Sequence, residues 1–390
     1  MLRSADGSLG IFEPSLSLKV DAANAEKLEV PASPFDGAGG RPIAWSDVRD
    51  LLQEQSRRLN APVHLARIHR EMRAAIAMQA GSRVDLSLLV ARAVSQPLIE
   101  IVIDADAPAS QRALLAHQEV RLRRQLDAVR GEAPRFRAIL DYWIELRAGR
   151  AIAREMRRRR RGKAPPREDF AEALLEMSAR LGPTRINYLV MTLLAAVSTA
   201  PGAVAACILI EMLRRTEWRG RIRAEFEALD ASRLYSDPAP RLPDTVRFIK
   251  EAMRLWPFPL VTRRVAKQDI EIGDVRVAAG DTYDLSAYAM HRLPEFWDRP
   301  EQFDPDRWKE PRSRSARGCY VPYGFGPRTC VGAAIGQSQL ILFCELAACA
   351  FDFEICAGHE PEIGTNVLAI PRDFVGIVRP RPAVPSASAG

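Results

Sequence analysis

Between Trp45 and Trp256 apolar residues recur at spacings of three and four, the period of helices with one buried face. Trp45-Ser-Asp-Val-Arg-Asp-Leu-Leu52 reads as a helix start with Ser46 as N-cap. A basic helix is predicted over His64–Met78 and an apolar one over 85–103; 110–160 holds two long basic amphipathic segments that pack antiparallel. Further helices are predicted over 168–180, 184–215, 217–229 and Asp244–Trp256, the last stopped by Pro257. The texture then changes. Residues 259–288 read as short strands turning at Gly273 and Gly280, and 291–318 are irregular, with Pro294, Pro300, Pro305 and Pro311. A glycine-rich loop, 323–332, leads into an apolar helix over Ala333–Phe351, and a hairpin-like region runs to 379. The pattern divides into a small β-rich N-terminal part (1–45, with strand-like Leu28–Val30 and Pro42–Trp45), a helical part (46–258), a mixed part (259–379) and a Pro/Ser/Ala tail (380–390). The fold class is mainly α with a small β portion.

Ile186–Ile210 carries no charge over 25 residues, long enough to cross a bilayer. Ser198, Thr199, Pro201 and Gly202 interrupt its centre, no second such segment is evident, and charged amphipathic sequence follows at once. Burial as the central helix of a large domain is the expectation. Composition adds little beyond this: 47% hydrophobic and 27% charged is an ordinary globular balance. It excludes disordered and collagen-like chains. The net charge of +7 is carried mostly by arginine and suggests a local basic face, not a nucleic-acid binder. The run Arg157–Arg161 is read as a solvated helix end complementing the helix dipole. The polar start, MLRSADGSLGIF, shows neither a signal peptide nor a membrane anchor, and a cytoplasmic protein is expected.

Six cysteines in 390 residues are too few for a disulfide framework, and no C-x-x-C pair suggests structural zinc. One stands apart. In Tyr323-Gly-Phe-Gly-Pro-Arg-Thr-Cys330-Val-Gly332, three glycines bracket a cysteine just before a helix N-terminus, a setting that favours thiolate and suits a soft metal or haem iron. The third glycine of a dinucleotide fingerprint and the Gly-Lys-Ser/Thr of a P-loop are both missing.

This decapeptide resembles the haem-thiolate signature F-G-x-G-x-R-x-C-x-G of the cytochrome P-450 superfamily, with Tyr323 for the leading Phe. Glu251-Ala-Met-Arg254 resembles its E-x-x-R, Pro305-Asp-Arg-Trp308 its P-E-R-F segment, Arg264-Val-Ala266 with Asp269 its R-x-A-x-x-D, and His69-Arg-Glu-Met-Arg73 its H-x-x-x-R. The resemblance, over about 41–379, implies a single-domain helical prism holding haem b between the long central helix and the cysteine loop. It implies Cys330 as the axial ligand of iron, with Phe325, Gly326 and Gly332 framing it. It implies His69, Arg73, Arg264 and Arg328 as haem-propionate partners, and a Glu251–Arg254–Arg307 ion network beneath the haem. Ala195, Ala196, Phe258, Leu260, Val261 and Val367 are the implied substrate pocket, apolar in character. Cys207, Cys319, Cys344, Cys349 and Cys356 match no family position.

Two departures matter. The family's A-G-x-[D/E]-T is Ala195-Ala-Val-Ser198-Thr199 here: the alcohol is kept and the proton-delivering acid is replaced by serine, which passes a proton but cannot supply one at pH 7. Pro201 is expected to kink this helix. Only 20 residues separate Val48 from His69, which predicts a reduced roof element over 53–66. The resemblance implies an oxidoreductase acting on paired donors with incorporation or reduction of O2: a soluble bacterial-type monooxygenase, monomeric, with Thr199 and Ser198 organising the distal side. Its substrate would be a small, partly apolar, secondary-metabolite-like molecule. A separate ferredoxin or flavodoxin would supply electrons, with Arg67, Arg70 and Arg73 offering a basic dock. The missing acid keeps a second reading open, a haem-thiolate enzyme that does not insert oxygen (oxidative coupling or cyclisation, peroxide-driven oxidation, dehydration or isomerisation, nitric-oxide reduction). A non-catalytic haem-binding homologue is the third.

Overall fold

The computed structural model describes residues 2–3, 9–25, 43–131, 137–310, 318–365 and 368–382. Two short strands, β1 (Leu2–Arg3) and β2 (Leu9–Ile11), open the chain and lead into α1 (Pro14–Ala25). Helices follow: α2 (Trp45–Leu59), α3 (Pro62–Ala77), then, after β3 (Arg83–Asp85), α4 (Leu86–Ser95), α5 (Leu98–Val102), α6 (Pro108–Arg130), α7 (Ala138–Arg160), α8 (Phe170–Glu176), α9 (Ser178–Val197), α10 (Ala200–Arg214), α11 (Thr216–Ala228) and α12 (Pro243–Leu255). Strands β4 (Thr262–Val265), β5 (Ile270–Ile272), β6 (Val275–Val277) and β7 (Thr282–Leu285) precede a short α13 (Ala287–Met290). After the glycine-rich loop come α14 (Ala333–Glu345), a π-turn (Leu346–Ala350), and β8 (Phe351–Ile355), β9 (Glu362–Gly364), β10 (Ile370–Arg372) and β11 (Val375–Pro380).

The sheets are small and clip distant parts of the chain together. One has the order β1-β2-β7-β4, with β2 parallel to β7, so the first strands are held by strands some 270 residues later. Another, β3-β11-β8, ties the start of α4 to the last strand. The main buried cluster draws on residues from Ile43 to Val378, and a smaller one joins Leu9, Ile11 and Val20 to the β4–β7 region.

The central apolar run lies inside this core, where Ala203–Met212 are buried. It is two helices, not one over 184–215. Ser198 and Thr199 separate α9 from α10, and Pro201 falls in the first turn of α10, where its missing N–H leaves no hydrogen bond unmade. A Cβ on Gly202 would come within 2.6 Å of the Ala91 Cα, so only glycine allows α10 to lie this close to α4. A second helical stretch, Ala333–Ala350, is also long and apolar enough to cross a membrane, contrary to expectation. Over half of its apolar window is likewise buried within the protein.

Other expectations are corrected. The N-terminal part is not simply β-rich, since α1 occupies its middle; Leu28–Val30 lies outside the described residues. The sequence hides α1 because its buried face is mostly polar: Ser17, Asp21 and Asn24 are buried alongside Val20. Ser46 is not the cap of α2, which begins after Ala44 without a side-chain cap. Residues 53–66 are not a reduced roof: α2 continues to Leu59 and α3 begins at Pro62, both packed in the core. Gln55 and Ser56 take buried positions of α2, which interrupts the apolar period that would have announced the helix.

The arginine run at the end of α7 is only partly a solvated end. Arg159 is buried and forms a bidentate pair with Asp169 at 2.8 and 2.7 Å, with Glu155, Glu172 and the Asp104 carbonyl completing its partners. These carboxylates hold the guanidinium above the usual arginine range although burial opposes it. Replacing Arg159 by Met strands buried Asp169 without its cation and leaves Glu155 with Arg158 alone. We expect a loss of about 3–5 kcal/mol in stability, read as a lowered urea midpoint at unchanged m-value.

Candidate functional site

The loop before α14 gets its shape from two left-handed glycines, Gly324 (φ 74°) and Gly326 (φ 59°), on either side of Phe325. The Cys330 N–H donates to the Tyr323 carbonyl at 2.8 Å, closing the loop, and the Thr329 hydroxyl donates to the Gly326 carbonyl. Of the six cysteines Cys330 alone is exposed; Cys207, Cys319 and Cys344 are buried, and Cys349 and Cys356 are half-buried. Desolvation by the surrounding protein pushes the Cys330 thiol up, and the Gly332 N–H pulls it down by less. The Gly332 N–H acts in the direction expected from the sequence, toward thiolate, and desolvation opposes it.

Beside this loop is a cavity lined by Gly324, Phe325 and Arg328 from the loop, Thr262 and Arg264 from β4, and Asp21 from α1. Arg264 meets Asp21 through its Nε at 3.4 Å, and the Arg328 Nε lies 4.0 Å from the same oxygen, beyond hydrogen-bond reach. Among the described residues the terminal nitrogens of both guanidiniums have no hydrogen-bond partner, and the buried Arg328 Nε has none either. Burial and the neighbouring Arg264 lower the Arg328 pKa, with Asp21 opposing them. Two underused cations beside an exposed thiol in a glycine loop suit a group with a soft metal centre and two carboxylates.

Under the loop, the expected ion network is assembled. Glu251, fully buried, accepts from Arg254 Nη2 at 2.8 Å and Nε at 3.0 Å, Arg307 Nε at 2.9 Å, Trp308 Nε1 at 3.0 Å and the Asp304 N–H at 2.9 Å. Arg254 also donates to the carbonyls of His291, Pro300 and Gln302.

Residues 139–374, more than half of the chain, match the sequence family described as Cytochrome P450. The chain belongs to the cytochrome P450 family. Solved P450 structures share its fold: one described as a zebra fish cytochrome P450 with progesterone has a TM-score of 0.76 at 19% identity, covering 96% of this chain and 94% of that one. The heme domain of cytochrome P450DA gives 0.71 at 21% identity, over 96% and 88%. Among curated relatives, Cyclooctatin synthase of Streptomyces melanosporofaciens is 33% identical over 178 residues, 44% of this chain and 38% of the relative. Pentalenene oxygenase of Streptomyces avermitilis is 31% identical over 182 residues, 45% and 40%. The chain thus spans less than half the length of the curated relatives it matches.

In this P450 the residues named from the sequence do not all converge. Cys330, Phe325, Gly326, Gly332, Arg264 and Arg328 belong to the loop or the cavity beside it. His69 and Arg73 do not. The His69 ring is buried between the Tyr235 hydroxyl at 2.9 Å and Glu345 Oε2 at 2.8 Å, and Arg73 lies 3.5 Å from Glu345 Oε1. Glu345 ends α14, whose first residue follows Cys330 by three, so this cluster is about 18 Å along the helix from the loop. Their H-x-x-x-R spacing serves helix packing here. Arg67 is paired with Glu71 and Glu100 and Arg73 with Glu345, which leaves Arg70 as the exposed cation of α3 without an ion-pair partner among the described residues. Arg49, on α2 against α14, is a mostly buried cation whose Nε has no partner among the described residues. Sequence reasoning passed over it; Trp45 and Arg49 four apart on one helix were the available signal.

Both central alcohols are engaged. The Ser198 hydroxyl donates to the Leu194 carbonyl at 2.6 Å and the Thr199 hydroxyl to the Ala195 carbonyl at 2.9 Å. The Thr199 oxygen also accepts from Gln125 Nε2 of α6 at 2.5 Å, a partner no motif announced. Of the expected pocket residues, Ala195 and Phe258 are half-buried and Ala196 and Val261 exposed, while Leu260 packs with Cys207 and Ala369. Val367 lies outside the described residues.

His291 joins α12 to the cysteine loop. Its Nδ1–H donates to the Arg254 carbonyl at 3.0 Å and its Nε2 accepts from the Val321 N–H at 2.9 Å, so the ring is neutral. Burial lowers its pKa to about 3. The unfolded chain, with a histidine pKa of about 6.5, binds the extra proton first, so this contribution is present near pH 7 and lost as pH falls below about 6.5. We expect stability to fall by roughly 1.4 kcal/mol per pH unit between pH 6 and 4 from this residue, and His291→Asn to flatten the measured dependence by about that slope. For the ligand, Cys330→Ser is expected to abolish a ferrous–CO band at about 450 nm in haem-reconstituted protein while circular dichroism keeps its helical signal.

Proposed function

We propose that this P450 is a haem-thiolate monooxygenase that places one oxygen atom of O2 into an apolar small molecule, with electrons from a separate ferredoxin or flavodoxin. The single observation that carries the reading is the exposed Cys330 thiol in a glycine loop beside two guanidiniums whose forks have no partner among the described residues. The residues present fit haem: Cys330 would ligate iron, Arg264 and Arg328 would meet the propionates, and Phe325 and the loop backbone would lie along the ring. Haem, when bound, supplies the redox chemistry of R–H + O2 + 2 e⁻ + 2 H⁺ → R–OH + H2O. The relatives' names, Pentalenene oxygenase and Cyclooctat-9-en-7-ol 5-monooxygenase, point toward a largely hydrocarbon substrate. The mostly apolar character of Ala195, Ala196, Phe258, Leu260 and Val261 agrees with this.

The chain's own task is proton handling without an acid in the central helix. Ser198 is buried with its proton on the Leu194 carbonyl and is held out of any relay. Thr199 is fixed from both sides, by the Ala195 carbonyl and the Gln125 amide. Gln125 therefore sets the direction of the Thr199 lone pairs, and solvent must supply the protons that an Asp or Glu would have relayed.

The same observation favours a second reading, a haem-thiolate enzyme that inserts no oxygen, because both alcohols are committed to backbone carbonyls. Turnover of a terpene-like substrate panel under ¹⁸O2, with NAD(P)H and surrogate redox partners, separates the two. One labelled oxygen in the product supports monooxygenation; conversion in the absence of O2 supports the second. We expect Thr199→Ala and Gln125→Leu each to lower product formed per NAD(P)H consumed, on the order of tenfold for Thr199→Ala. Peroxide-driven turnover should change less.

A further inference from the structure

Helix α1 buries a carboxylate where a helix of this size ordinarily buries an apolar side chain. Asp21 is 1% exposed. Its neighbours on the same face have local uses. The Ser17 hydroxyl donates to the Ile11 carbonyl, and Asn24 donates to the Val265 carbonyl and the Tyr283 hydroxyl while accepting from the Lys267 N–H. Among the described residues Asp21 has no such backbone partner. Its Oδ1 faces Arg264 Nε at 3.4 Å, Arg328 Nε at 4.0 Å and the Tyr283 hydroxyl, which donates to it at 3.3 Å. Desolvation and the charge of Asp21 push the Tyr283 hydroxyl up to about 12, so it stays protonated as the donor.

The two arginines come from β4 and from the cysteine loop, far apart in sequence, and their like charges repel where water is scarce. One anion between them resolves this. Asp21 is placed toward the Nε edges of both guanidiniums, and the terminal nitrogens, which make bidentate bonds to carboxylates, have no partner among the described residues at a cavity both residues line. We propose that Asp21 is a positioning residue for the cofactor's carboxylates: it gathers Arg264 and Arg328 by their Nε edges and leaves both forks presented to the two propionates of haem. The proposal rests on the haem-site reading above. It gives α1 a role of the kind that outer-shell groups play at metal sites, orienting the groups that touch the ligand.

The test compares haem release to excess apomyoglobin from reconstituted wild type, Asp21→Asn and Ser17→Ala. A parallel reconstitution uses haem dimethyl ester, which has no charged carboxylates. Asp21→Asn should release haem about tenfold faster, keep the ferrous–CO band of the wild type, and lose most of the wild type's preference for haem over its ester. Ser17→Ala, which loosens α1 without removing the charge, should behave as wild type. Release from Asp21→Asn at the wild-type rate overturns the proposal, and slower release does so too, by making Asp21 a rival anion. An equal effect from Ser17→Ala overturns it in favour of helix docking alone. If Asp21→Asn does not fold, the ester comparison in wild type decides, since equal retention of haem and ester means the arginine forks hold no carboxylate. A wild type that takes up no haem removes the site reading and this proposal together; a normal wild type with an unaltered Asp21→Asn removes only the proposal.

Discussion

A carboxylate shut away from water is costly unless its lone pairs are filled, and Glu251 is the residue around which this constraint is met. Its two oxygens accept five N–H donors, from Arg254 (two), Arg307, Trp308 and Asp304. Those donors come from α12 and from the irregular stretch after α13, so satisfying one charge fastens an otherwise unstructured segment to a core helix. Arg254 extends the hold through three backbone carbonyls, and His291 passes it on to Val321, where the cysteine loop begins. The position of Cys330 thus depends on an ion network it does not touch. Breaking one member leaves a buried charge unpaired, which costs far more than the pair contributes net.

On the other side of the loop the electrostatics are left incomplete. Arg264 and Arg328 share one carboxylate, Asp21, at the margin of hydrogen-bonding distance, and their forks have no partner among the described residues. Below the loop the Glu251 oxygens are filled by five donors; beside it, Arg264 and Arg328 line a cavity. The central helices follow the same division. Gly202 brings α10 tightly against α4, while the break at Ser198–Thr199 opens a place where an amide from α6 reaches the helix.

The motifs legible in the sequence were those whose chemistry is local. Glycines at positive φ on either side of Phe325, Glu251 and Arg254 one turn apart, and a proline-rich stretch ending at Arg307 all state their geometry within a few residues. The reading of His69 and Arg73 used the same kind of signal and placed them at the haem. Spacing of four on a helix says that two side chains share a face, not which neighbour that face meets, and here it meets Glu345 at the far end of α14. The segment 53–66 was read as a reduced roof element because His69 was matched to the family's H-x-x-x-R only 20 residues after Val48; the structure gives those residues to α2 and α3.

By itself the sequence determined a mainly helical chain, the cysteine loop and its ion network, because periodicity and short-range stereochemistry need no distant partner. Only the tertiary structure decided which cations face the cavity, that Asp21 stands between them, that Gln125 holds Thr199, and that Arg159 is a buried hub and not a solvated end. Each of these depends on residues tens to hundreds of positions apart, such as Asp21 and Arg328. Burial gives such encounters their energy by removing competing water, and burial is a property of the packed chain, not of any segment of it.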